Sequence, residues 1–313
     1  MTNKKNSYVI VTDSGSDMPY DYLKENGIPC VDLTVRFEGE DREYLNREID
    51  VKHFYERMRN GDVARTSAPS PAAFAETFEP ILKEGKDILY LGFDTGISAT
   101  YNSAVIAAED LREKYPDRKI FTLDTLCASA GLGLVIIQTL KRAKEGMSIE
   151  DAFDFAKELA PKVGHRFTVD TLTYLCRGGR VSKTAAFAGN MLSIKPVLHV
   201  DDAGKLINIA KARGRAKSLS MLADAFGETA LHSAAGKEIA AGAEYLQDTE
   251  NAAVFDETIT ISQADCMEDA KALADMIYSR FGRRVDLITD IGPVIGSHAG
   301  PGTIALFFAA TRR

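Results

Sequence analysis

The sequence predicts an α/β protein in two parts. Residues 1–162 read as a domain with a mainly parallel sheet flanked by helices, and residues 163–313 as an α+β domain with a mixed or antiparallel sheet. Three observations predict this. Strand-like and helix-like segments alternate through the first half, as βαβ units with right-handed crossovers require. DILYLGF (87–93) is a continuous apolar run, the mark of a strand buried on both faces of a parallel sheet. After about residue 163 the pattern changes, and IKPVLHV and KLINIAK flank Asp202-Ala203-Gly204 as a hairpin flanks its turn.

Each element has its own signal. SYVIVTD (7–13) is a β-rich run ending in the turn cluster Ser14-Gly15-Ser16-Asp17, and Pro19 then suits the first turn of a helix. In 71–85, Phe74, Phe78, Ile81 and Leu82 recur at helical spacing. A helix over 99–114 turns Ala104, Val105, Ala108 and Leu111 inward. KIFTLDT (119–125) is a further strand, followed by a Gly/Ala-rich helix through Leu132, Val135, Ile136 and Leu140. Residues 148–162 form an amphipathic helix through Ile149, Phe153, Ala156 and Leu159. DETITIS (256–262), RVDLITD (284–290) and TIALFFAA (303–310) are strands, and Ala270, Leu273, Ala274, Ile277 and Phe281 mark a helix between the first two. The Ala-rich 228–255 stretch reads as helix with a polar loop.

Composition narrows the function classes. The chain has 313 residues, 45% of them hydrophobic and 27% charged, the profile of a soluble globular protein. No apolar run approaches the roughly 18 residues of a membrane span, so no stable membrane insertion is expected. The N-terminus has no signal-peptide pattern, and the four cysteines (Cys30, Cys127, Cys176, Cys266) are scattered, which suits a cytoplasmic protein without disulfide framework or zinc site. A net charge of −7 argues against a general nucleic-acid binder. Residues 177–217 nevertheless carry nine basic side chains against two acidic ones. That stretch is either a solvated hairpin face or a docking patch for an acidic or phosphate-bearing partner.

Three polar segments of the first half sit at strand ends or directly before helices: Thr12–Asp17, Thr66–Pro71 and Gly96–Thr100. In open parallel sheets ligands bind outside the carboxyl ends of the strands. Helix N-termini there offer free N–H groups to an anion. Singly, each segment reads as a helix N-cap, with Ser70 and Ser98 as the capping residues. Together they read as a shared anion site. In GPVIGSHAGPGTIAL (292–306), His298 lies in a Gly-rich turn between apolar strands, either solvated or an acid/base group beside a ligand. A hydrolase could be assembled from Ser98 or Ser14 with His298 and Asp13. However, Thr100 stands where a nucleophile elbow needs glycine. A P-loop, a dinucleotide fingerprint and a metal-ligand spacing are also absent from the sequence.

The ordered set VTDSGSDMP, RTSAPSP, LGFDTGISATYNSA, DTLCASAGLG, RGGRVSKT, IKPVLHVDDAG with KARGRAK, and IGPVIGSHAGPG resembles the DegV family over nearly the whole chain. The resemblance implies a bacterial, cytoplasmic fatty-acid-binding protein without a catalytic centre or cofactor of its own. It would hold a long-chain fatty acid and present it to a separate ATP-binding kinase subunit that forms the acyl phosphate. By the same resemblance, Thr66, Ser98 and His298 bind the carboxylate, with Ser14, Ser67, Gly96, Ile97 and Thr100 as possible further pocket residues. Arg177, Arg180 and Arg213 fall in family-like arginine motifs, assigned to kinase docking or the surroundings of the headgroup. Ser262-Gln263-Ala264-Asp265 departs from the His-Ala-Asp string that members often carry, so no role transfers there. A serine hydrolase acting on acyl esters and a binding module for another small anion stand as alternatives.

Overall fold

A computed structural model describes residues 8–182, 193–231, 255–311 and 313. Its strands are β1 (Tyr8–Asp13), β2 (Cys30–Val31), β3 (Thr34–Phe37), β4 (Tyr44–Leu45), β5 (Ala64–Ser67), β6 (Asp87–Gly92), β7 (Ile120–Asp124), β8 (Val163–Thr168), β9 (Ile194–Val200), β10 (Leu206–Arg213), β11 (Ile259–Gln263), β12 (Leu287–Asp290) and β13 (Ile304–Ala309). The helices are α1 (Tyr20–Glu25), α2 (Val51–Arg59), α3 (Pro71–Lys83), α4 (Thr100–Lys114), α5 (Ala130–Lys144), α6 (Ile149–Leu159), α7 (Thr173–Arg177), α8 (Arg215–Thr229), α9 (Met267–Phe281) and α10 (Pro293–Ala299).

Strands of the first half form a parallel sheet in the order β2-β1-β6-β7. Those of the second half form a mixed sheet, β10-β9-β8-β13-β11-β12, antiparallel except for β11 with β12. The fold class is therefore α/β, as the sequence predicts. A third sheet, β4-β3-β5, is small and antiparallel, and nothing in the periodicity announced it.

Alternation along the strands sets the layers. In β6, Ile88 and Tyr90 pack with Phe74 and Phe78 of α3, whereas Leu89 and Leu91 face the opposite way into the main core. In β13, Ile304, Leu306 and Phe308 pack under α8 and α9, whereas Ala305 and Phe307 face the main core. This period of two assigns every second side chain to a different layer.

Helix α5 fills the space between the two sheets. Residues on all its sides are buried, Leu132, Leu134, Val135 and Ile136 among them, which is the pattern of a helix enclosed by protein. Its glycines allow close approach. A Cβ on Gly133 would lie 2.5 Å from Met18 Sδ, and one on Gly131 would lie 2.8 Å from a Phe307 ring carbon.

Local predictions held where one signal dominated. Ser70 caps α3 by accepting from Ala73 N at 3.3 Å, with Pro71 at the first helical position. Ser148, which the sequence had not singled out as a cap, caps α6 in the same way. Most of the 228–255 stretch lies outside the described residues, as does Lys183 of the basic stretch.

Candidate functional site

The site is an apolar cavity of about 280 Å³ between the parallel half and the inner face of the mixed sheet. That is close to the lower end of ordinary ligand pockets, roughly 300–1,000 Å³. Its deep wall includes Ser129, His165, Phe167, Ala305 and Phe307, each less than 9% exposed. Its outer end includes Ser67, Ala68 and Ala99, all exposed.

Thr66, Ser98 and His298 line this one cavity, although they come from three different elements. Thr66 lies on the antiparallel strand β5, paired with Val35, and the segment it opens runs directly into α3, as its Ser/Pro-rich surroundings suggested. Ser98 lies in the loop after β6. It is not the cap of α4: Ala99 holds that position, and Ser98 Oγ bonds Thr100 Oγ1 at 2.9 Å and accepts from Thr100 N at 3.3 Å. His298 lies on helix α10 rather than in a turn. Gly292 and Pro293 start that helix and Gly300, at φ +82°, ends it. The glycines that read as a turn are the helix's boundaries.

His298 Nε2 and Thr66 Oγ1 are hydrogen-bonded at 2.8 Å, while the buried Nδ1 has no hydrogen-bond partner. Burial, reinforced by Arg180 and Arg65, lowers the imidazole from 6.5 to about 4. It is therefore neutral at physiological pH. A neutral ring with Nε2–H donating to Thr66 Oγ1 leaves the threonine proton free for a ligand oxygen.

Arg180 also lines the cavity. Its Nε donates to Ile97 O at 3.0 Å and its Nη1 to Gly178 O at 2.6 Å, so it fastens the loop that carries Ser98. Arg177 and Arg213 lie elsewhere, exposed, the first over the Tyr174 ring and the second at the end of β10.

Ser67 and Ile97 line the cavity, but Ser14, Gly96 and Thr100 do not. Ser14 is buried and accepts from Leu33 N at 2.9 Å, a bond that ties the β1 turn to the chain before β3. Asp13 is likewise structural. It accepts from Gly15 N, Phe93 N and Tyr90 Oη, and burial raises it from 3.8 to about 6.

Sequence reasoning missed Ser129 and His165. Ser129 has φ 54° and ψ −146°, a region costly for any residue but glycine. Its Oγ lies 2.5 Å from Asp17 Oδ2 and 2.8 Å from Ser262 Oγ, which pins the start of α5 to β11. Burial raises Asp17 from 3.8 to about 7. His165 accepts from Ala128 N at 3.2 Å, and burial lowers its pKa well below 6.5. The alternation of Ala305 and Phe307 along β13 was the one signal that could have marked the deep wall.

Among the described residues no cluster of three or more His, Cys, Asp or Glu could hold a metal, and no helix is long and apolar enough to cross a membrane. All four cysteines are free.

The model of the DegV family, described as "Uncharacterised protein, DegV family", matches residues 7–311. A DegV domain-containing protein of Clostridium perfringens is 41% identical over 304 residues, covering 96% of this chain and 97% of that protein. Among solved structures, a DegV lipid-binding protein of Thermotoga maritima is 26% identical with a TM-score of 0.79, covering 98% of this chain and 99% of the other. A DegV family protein of Thermus thermophilus described for fatty acid binding is 28% identical with a TM-score of 0.80, covering 97% and 99%. With the family model spanning almost its full length, the chain belongs to the DegV family.

Proposed function

We propose that this chain binds a long-chain fatty acid, tail in the cavity and carboxylate at Thr66 and Ser98, and presents it to a separate ATP-dependent kinase subunit that forms the acyl phosphate. The observation that carries this reading is the convergence of Thr66, Ser98 and His298 on one end of an apolar cavity. Similar chains from Thermus thermophilus and Thermotoga maritima, named for fatty-acid and lipid binding, support it. We take residues 1–162 and 163–313 as the two domains, cytoplasm as the compartment, and the ligand as the one small molecule held.

The division of labour follows from magnitudes. A buried methylene contributes about 0.8 kcal/mol, so a tail of roughly 15 offers on the order of 12 kcal/mol gross. A hydrogen bond to a charged group contributes about 1.5–3 kcal/mol. The tail therefore sets affinity and the polar end sets orientation. His298 acts through Thr66: its Nε2–H holds the Thr66 oxygen so that the hydroxyl proton points to the carboxylate.

Two features disfavour the hydrolase reading. Ser98 Oγ bonds Thr100 rather than a histidine, and His298 Nδ1 has no carboxylate to orient the ring. The chain then works without a catalytic centre of its own, and the exposed Arg177 and Arg213 serve kinase docking. The reading is tested by Ser98→Ala in a reconstituted kinase assay. A fall in lipid affinity of no more than roughly ten- to a hundredfold, with strong loss of acyl-phosphate formation, is expected. Complete loss of lipid by a folded variant would overturn the division of labour.

A further inference from the structure

The tip of the β9–β10 hairpin is where the second half meets the loop that carries Ser98. Val200 and Leu206, the residues on either side of the tip, both line the cavity. The tip is bonded mainly to itself: Asp201 N donates to Lys205 O at 2.9 Å, and the Asp201 carboxylate accepts from Ala203 N and Lys205 N at 2.9 and 2.8 Å, while at its base Arg313 Nη1 makes a long bond of 3.5 Å to Asp201 O.

It rests on the Ser98 loop through backbone. A Cβ on Gly96 would lie 2.7 Å from Ala203 O and from Gly204 C and O, and one on Gly204 would collide with the Asp94 carboxylate. Among the described residues no hydrogen bond joins the tip to residues 93–98. The contact with that loop is packing alone, and it encloses Asp94, whose Oδ2 is buried without a partner.

The strands behind the tip are weakly anchored. β9 pairs with β8 only over Val197–His199, so Val200 lies beyond that ladder. β10 is an edge strand, and its pairing with β9 is interrupted between Asn208 and Ala210 by a bulge at Ile209. A bulge is a local break at which a strand bends.

We propose that residues 201–205 are the gate of the acyl cavity, hinged at the Ile209 bulge and latched where Gly204 seats against Gly96 and Asp94. This rests on the fatty-acid reading and deepens it by naming the part that moves when ligand exchanges. Lifting the tip withdraws Val200 and Leu206 from the cavity wall and lets water reach Asp94 Oδ2, which removes the cost of an orphaned buried acceptor. The latch is therefore held by shape, with one long bond from Arg313 at its base, and opposed by desolvation, a balance suited to opening and reclosing.

Charge tunes that balance. Burial, with Asp124 and Asp201 nearby and Arg313 opposing them, raises Asp94 from 3.8 to about 7. The closed latch thus favours the protonated carboxyl. A raised closed-state pKa means that closure is fully favoured below pH 3.8 and weakens as pH rises to about 7.

The test is the dissociation rate of a 16-carbon fatty acid from the full chain, with albumin as trap. Gly96→Ala is the variant: Gly96 does not line the cavity and has no left-handed φ, so the change perturbs the contact without straining its own backbone. It should speed dissociation about tenfold, a barrier change of about 1.4 kcal/mol. Asp94→Asn should flatten the rise of that rate between pH 5 and 7. Hydrogen exchange of amides 96–98, which bond to Asp94 beneath the tip, gives a readout without ligand, and Gly96→Ala should accelerate it. An unchanged rate together with unchanged exchange in the folded variant overturns the gate. Failure of the wild-type chain to hold any fatty acid overturns the fatty-acid reading alone, and the amide exchange still decides the latch.

Discussion

The two ends of the cavity are built by opposite means. The deep end is a sheet face: Phe167, Ala305 and Phe307 alternate with core residues on neighbouring strands, so one period-two pattern shapes the whole wall. The outer end is a meeting of single residues from β5, the β6–α4 loop and α10, distant in sequence and joined by one 2.8 Å bond between Thr66 and His298. The deep wall is redundant and apolar, and the outer end depends on each polar atom. The difference teaches where affinity and where orientation should reside.

Narrowing the deep end should have the largest effect. Ala305→Phe, at a position 6% exposed, would displace about five methylenes, a loss of about 4 kcal/mol or roughly a thousandfold in retention. Binding by titration checks this, with a thermal melt to show that the variant folds. Retention unchanged by Ala305→Phe would mean that the tail does not run along β13. At the outer end, Thr66→Val removes one charge-assisted bond and orphans His298 Nε2, so affinity should fall roughly ten- to a hundredfold. An effect there as large as that of Ala305→Phe would reverse the assignment of the two ends.

The same contrast explains what the sequence made legible. DILYLG and IALFFA announced buried strands because apolar runs of that length have few other fates. The Gly/Ala-rich run of α5 likewise announced a helix, although not that all of its sides would be covered. The outer end was harder. Thr66, Ser98 and His298 were named through family-like motifs, yet each has a local geometry that its neighbours disguised: a strand residue near Pro69, a hydroxyl bonded to Thr100 from one residue outside the cap position, and a histidine on a helix bounded by glycines. The deep wall could not be assembled from sequence, because β8, β13 and the start of α5 meet only in three dimensions.

Smaller effects sharpen the picture. Arg213→Glu reverses an exposed charge on β10 and should slow association with the proposed kinase subunit about tenfold at low salt, with lipid retention unchanged. A titration showing unaltered association would remove Arg213 from the docking face. The imidazole of His298 should titrate near pH 4 by NMR. Its lowered folded pKa costs no stability above pH 6.5, and the cost grows as pH falls from 6.5 to 4. Asp17 and Asp13, raised by burial to about 7 and about 6, act in the opposite sense and cost least at low pH. The site-resolved titration therefore separates what a global melting curve would merge. A midpoint near 6.5 would place His298 in solvent and break its link to Thr66.

The most direct measurement of the central claim is native mass spectrometry of the purified chain, followed by extraction and identification of anything bound. One long-chain fatty acid per chain, displaced from the Ala305→Phe variant, is the predicted result. A bare polypeptide mass that takes up no fatty acid on incubation would contradict the account.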